Sequence, residues 1–132
     1  MILKTSLSDF DKWETPQDLD VLLTDTLLNL GIRINLRGFI YLHDIIYNAA
    51  LGEDIWRRLI SDIYRKTANK YNTTDKGVER CIRHAIYLAF KKVGAKHIAQ
   101  YLNVPISEYR VATNSEFIKL LAEEMRRRRV VE

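Results

Sequence analysis

The run Tyr71-Asn72-Thr73-Thr74-Asp75-Lys76-Gly77-Val78-Glu79-Arg80-Cys81-Ile82-Arg83-His84-Ala85-Ile86-Tyr87 decides how this chain folds. Asn72, Thr73 and Thr74 carry short amide and hydroxyl groups that compete with helical backbone bonding, so they mark a turn. A helix is then expected from about Asp75 to Lys92, with Gly94 as its stop. On a helical wheel Val78, Cys81, Ile82, Ala85, Ile86 and Ala89 fall within one arc of about 140°. Lys76, Glu79, Arg80, Arg83, His84 and Tyr87 occupy the opposite arc. The helical segment Tyr64 to Tyr71 precedes the turn, which gives residues 64 to 92 the spacing of a helix-turn-helix. In that motif the second helix enters the major groove with its N-terminal residues at base edges, while the first crosses the backbone. A guanidinium can donate a bidentate pair to guanine, and a carboxylate can accept from cytosine N4. Glu79, Arg80 and Arg83 are therefore the candidate base readers. The competing reading is that this arc is only a solvated polar face.

Outward from this motif, the punctuation is sparse and evenly placed. Two Pro and five Gly leave little to interrupt helices. Thr15-Pro16 reads as an N-cap and first helical position, with Asp18 and Asp20 at the positive end of the dipole. The first helix should run from about Pro16 to Leu30, with Leu19, Leu22, Leu23, Leu27 and Leu30 inward and Gly31 beyond its end. A second fits Gly38 to Ala50, with Ile40, Leu42, Ile45, Ile46 and Ala49 as its stripe. A third is expected from about Glu53 to Tyr71, using Trp56, Leu59, Ile60, Ile63 and Ala68. Beyond Gly94, Ala95 to Asn103 forms a short helix ended before Pro105, and residues 104 to 112 a loop. Thr113-Asn114-Ser115-Glu116 has the capping-box pattern ahead of Phe117, Ile118, Leu121 and Met125. The reading is an all-α, compact six-helix domain. Residues 1–14 form a poorly organised extension, and 15–132 the helical domain.

Composition agrees. Of 132 residues, 47% are hydrophobic and 29% charged, the balance of a globular chain. A chain of this size can bury enough surface to fold without disulfides. The lone Cys81 cannot form one internally and falls on the apolar arc, a small core residue rather than a nucleophile. With no secretory signal and no apolar run of about 20 residues, the chain is expected in the cytoplasm and away from membranes. The net charge of +4 conceals an asymmetry: residues 1 to 30 carry two Lys against six Asp or Glu, leaving +8 on the remainder. A basic body suits a polyanionic partner.

The run from Tyr71 to Thr74 and the run from Val78 to Ile86 closely resemble the DNA-binding effector domain of the sporulation initiation (stage zero, A) response regulators. Gly38-Phe39-Ile40-Tyr41-Leu42 and Thr113-Asn114-Ser115-Glu116-Phe117-Ile118 extend the resemblance to about residues 25 to 129. It implies six helices that bind short DNA boxes upstream of sporulation promoters, often as tandem copies. It also implies base reading by Glu79, Arg80 and Arg83, with His84 near the backbone. Lys76-Gly77 departs from the usual Ser-Arg ahead of the Val, which moves or removes a basic contact. Gly77 also carries a helix-propensity cost of about 1 kcal/mol. Members typically have a phosphoacceptor receiver domain first, and residues 1 to 24 are too few for one. The acidic stretch Asp9 to Asp25 reads either as a regulatory extension or as a linker with a capped helix.

Double-stranded DNA is thus the expected partner, with a sigma subunit of RNA polymerase and further copies of the chain as additional ones. Lys70, Asn72, Thr73, Thr74, Lys76, His84 and Tyr87 are expected to contact or support contact with the DNA backbone, as phosphate contacts position a domain while base contacts specify. Arg126, Arg127, Arg128 and Arg129 have two readings. They offset the helix dipole, or they touch phosphate or a neighbouring copy. The pairs Glu53-Asp54 and Glu123-Glu124 read as solvated. His43, His84 and His97 lack zinc-site spacing, no phosphate-cradling loop or hydrolase motif occurs, and neither a cofactor nor an enzyme is expected. The rival reading is a helical protein-interaction module, an antagonist that pairs with a family member or polymerase subunit without binding DNA.

Overall fold

A computed structural model describes residues 6–105 and 110–130. Among the described residues six helices follow in order: α1 (Pro16–Asn29), α2 (Arg37–Ala50), α3 (Ile60–Lys70), α4 (Asp75–Val93), α5 (Ala95–Leu102) and α6 (Asn114–Arg127). The domain is all-α; among the described residues the only extended pairing is one parallel bridge, Trp13 to Arg129. The centre of the packing is α2, which touches α1, α3, α4 and α6. Its Leu42, Ile46 and Ala49 are fully buried against Ile82, Ala85 and Ala89 of α4 and Phe117, Leu121 and Ala122 of α6, all within one continuous core.

The helix ends follow local chemistry. Thr15 and Asp18 form a reciprocal capping box at the start of α1, and Thr113 and Glu116 form another at α6. The Thr74 hydroxyl accepts from the Gly77 amide at 3.0 Å to start α4. Gly94 ends it at φ +86°, and Asn103, in left-handed geometry at φ 56°, ends α5 one residue sooner than expected. Of the expected loop 104 to 112, residues 106–109 lie outside the described residues.

Three expectations are corrected. The third helix starts at Ile60, not Glu53. Gly52 turns the chain at φ +127°, and the Asp54 carboxylate then accepts from the amides of Trp56 and Arg57 at 3.0 and 3.4 Å. That local bonding replaces a helical start, so Ile55 turns inward while Leu59 stays 70% exposed. In α2, Ile40 faces outward and Phe39 and Tyr41 are buried instead. The third concerns the two ends of the chain. In the first 14 residues, the described part from residue 6 is tied down. The Leu7 amide donates to the Tyr101 carbonyl, the Trp13 amide to the Arg128 carbonyl, and the Trp13 indole to the Met125 carbonyl at 2.8 Å. Trp13 is wholly buried.

The same packing explains the terminal arginines. Glu124 is buried, not solvated, and both Arg127 and Arg128 bond to its carboxylate. Arg128 also donates to the carbonyls of Ser8 and Asp11 at 2.6 and 3.1 Å, which ties its side chain to the N-terminal segment. Arg126 stacks over the Trp56 ring and Arg129 over Trp13. Glu53 is likewise half-buried, held by Lys66 at 2.6 Å and Arg58 at 3.6 Å.

Candidate nucleic-acid interface

Residues 71–74 join α3 to α4 as a four-residue turn. Asn72 takes φ 53°, and the Thr73 amide donates back to the Ala68 carbonyl at 2.9 Å, which folds the turn against the end of α3. On α4, Val78, Ile82, Ala85, Ile86 and Ala89 are buried, and Cys81 is half-buried. This anchored face leaves Arg80, Arg83, His84 and Tyr87 exposed along one stripe, with Glu79 at its margin. The i, i+3, i+4, i+7 spacing of the four exposed residues is that of neighbouring positions on one helix surface.

The charges on this stripe are already arranged. The Arg83 Nε and Nη2 donate to the two Glu79 carboxylate oxygens at 2.8 and 3.4 Å. That contact holds the guanidinium extended along the helix and raises the Arg83 pKa further above its ordinary value. Arg80 has no ion-pair partner among the described residues. Lys76 is exposed on the first turn of α4. Lys70 is engaged: its ammonium lies 2.7 Å from the Asp44 carboxylate, which raises its pKa, and 5.5 Å from the Tyr71 ring centroid. Any phosphate reached by Lys70 must share it with Asp44.

A second element walls the stripe. Val111 and Ala112, leading into α6, line an open hollow with Arg80, Cys81, Arg83, His84 and Tyr87. Arg110 is clamped beside them by a bidentate pair with Glu116, at 2.8 and 2.9 Å. Two residues beyond Ala112 in the chain is the buried Asn114. Its amide nitrogen donates to the Tyr64 hydroxyl at 3.0 Å and to the Glu79 carbonyl at 3.1 Å, joining α6 to α3 and α4. Burial pushes the Tyr64 phenol pKa up, the Asn114 bond opposes that, and the Glu79 charge adds to it.

Residues 23–125 match the family described as sporulation initiation factor Spo0A C terminal. The chain belongs to this family. As a Spo0A C-terminal domain it is a DNA-binding domain of sporulation and transcription regulation, not a member of an enzyme family. Among the described residues no three His, Cys, Asp or Glu side chains gather to hold a metal ion, and no helix is long and apolar enough to cross a membrane. The structure brings Glu79, Arg80, Arg83, His84 and Tyr87 of this Spo0A C-terminal domain onto one surface beside the Asn72–Thr74 turn and Lys76. Arg126–Arg129 belong to the opposite end of α6. Sequence reasoning missed Val111, Ala112 and Asn114. The capping box at Thr113 located the start of α6, but nothing local showed that its next residue would be buried against α4.

Proposed function

We propose that this domain reads a specific duplex sequence by placing the N-terminal half of α4 in the major groove, with Glu79, Arg80 and Arg83 at the base edges. The observation that supports this most directly is the exposed α4 stripe, in which Arg80, without an ion-pair partner among the described residues, stands beside an Arg83 already extended by Glu79. Bidentate donation by either guanidinium suits guanine O6 and N7. A carboxylate has about four lone-pair sites, so Glu79 can hold Arg83 and still accept from a cytosine amine. Lys76, the Asn72–Thr74 turn, His84, Tyr87 and a shared Lys70 flank the readers and supply backbone contacts. Further copies on adjacent DNA and a polymerase sigma subunit are partners under the same reading, with the exposed Arg126, Arg127 and Arg129 as candidates for phosphate or copy contact.

Selection from a random duplex library, with sequencing of the bound fraction, tests the reading. A defined motif containing G·C pairs is expected. Arg80→Ala should weaken the enriched duplex by roughly 1–3 kcal/mol and relax preference at one base pair. A flat enrichment profile, or equal losses on enriched and scrambled duplexes, contradicts base reading; the flat profile favours the protein-interaction module.

A further inference from the structure

We infer that Asn114 is the positioning residue of the base-reading helix: through Tyr64 and the Glu79 carbonyl it sets the depth and pitch at which α4 presents Arg80 and Arg83. The inference rests on the proposed reading of α4 and adds to it a residue that touches no DNA. Asn114 is 8% exposed, and one amide nitrogen bonds to both α3 and α4. A side-chain amide nitrogen carries two hydrogens, so both are used. Its acceptor on α4 is the backbone oxygen of Glu79, the residue before Arg80 and the one whose side chain extends Arg83. The bond therefore acts at the reading end of the helix.

The surroundings hold Asn114 in place. It is the first residue of α6, after Thr113, whose hydroxyl and amide are locked in the capping box with Glu116. Ahead of it Ala112 is buried, and behind it Phe117 and Ile118 are fully buried. The anchor cannot drift without moving α6. The buried apolar face of α4 resists separation from the core but tolerates small rotation and sliding, because hydrophobic contact is non-directional. A buried hydrogen bond is directional, and breaking one partner leaves the other unsatisfied. Asn114 thus restricts the motion that would carry Arg80 and Arg83 off the base edges, and phosphate contacts spread over the turn and the exposed surface are less affected by it.

The test compares the library-enriched duplex with its scrambled version, by titration, for wild type, Arg80→Ala, Asn114→Ala and Tyr64→Phe. Thermal unfolding of each protein reports stability. Asn114→Ala is expected to cut the enriched-to-scrambled affinity ratio about tenfold while changing scrambled-duplex affinity less than twofold. Tyr64→Phe keeps the ring and the fold but deletes the hydroxyl, and should cut the ratio about threefold; it carries the test if Asn114→Ala does not fold. An Asn114→Ala or Tyr64→Phe protein that unfolds at lower temperature but keeps the wild-type ratio overturns the inference, as does equal weakening on both duplexes. If wild type discriminates and only Arg80→Ala loses the ratio, the reading of α4 stands and the role of Asn114 falls. If wild type shows no discrimination, both fall.

Discussion

At the scale of single residues, the loop beside the interface is held by charge. Glu116 receives two hydrogen bonds from the Arg110 guanidinium and one from the Thr113 amide at 2.9 Å. Those contacts, the Arg110 bond first, lower its pKa from the ordinary 4.5 to about 2. A carboxyl whose folded pKa is depressed adds stability that is present above the unfolded value and lost as pH falls through the folded one. The Glu116 contribution should therefore be intact at pH 6, decline below about 4.5 and vanish near 2. Its side chain is 44% exposed, so solvent screening limits the gain to about 1 kcal/mol or less. Urea midpoints of wild type and Glu116→Gln should differ at pH 6 and converge as pH approaches 2. A gap that persists at low pH would show that the ionised carboxylate is not its source.

At the scale of helices, the placement of α4 depends on one missing methyl group. A Cβ on Gly38 of α2 would overlap the Cys81 carbonyl oxygen and lie 2.7 Å from the Ala85 Cβ. The first obstacle is backbone in the interior of α4 and cannot swing aside. Gly38→Ala must push α2 and α4 apart, at a cost of roughly 1–3 kcal/mol from overpacking, despite the better helix propensity of Ala. Urea unfolding measures it, and a neutral or stabilising result would mean the two helices slide without loss. Gly77 is a milder case: a Cβ there would come within 3.0 Å of the Thr74 hydroxyl and 3.1 Å of the Thr73 hydroxyl, so the helix-propensity cost of Gly77 is partly offset by room for the cap. These cases show what was legible in the sequence. Five of the six helices fall within a residue or so of where periodicity and caps put them, because Thr15, Thr74, Gly94 and Thr113 act on their own neighbours. The third starts seven residues later than its apolar spacing suggests, since the Asp54 carboxylate that caps Trp56 and Arg57 looks in sequence like any surface acid. The exposed α4 stripe was legible from one helix alone. Gly38, Asn114 and the Val111–Ala112 wall were not, because their roles arise between elements that are far apart in sequence.

At the scale of the whole molecule, the acidic head has structural work. Asp18 closes the α1 capping box, Asp20 lies 2.7 Å from the His43 Nε2 on α2, and Asp11 accepts from the Ser8 amide. Trp13 closes the far end of the domain, donating to Met125 under the Arg129 guanidinium. Helix α6 therefore serves two ends: its first residue bonds to α4 and its last turn receives the head. Removing the buried ring in Trp13→Ala should cost roughly 3–5 kcal/mol by urea unfolding. Trp13→Phe keeps most of the apolar bulk and loses the indole bond, so it remains folded for DNA titration. Since Trp13 bonds at Met125 and Asn114 bonds at Glu79, eleven residues apart along α6, Trp13→Phe should keep the wild-type ratio between enriched and scrambled duplexes. If the ratio falls with Trp13→Phe, the head is coupled to the reading helix and acts as the regulatory extension that its charge first suggested; if only stability falls, the head is a strap that completes the core.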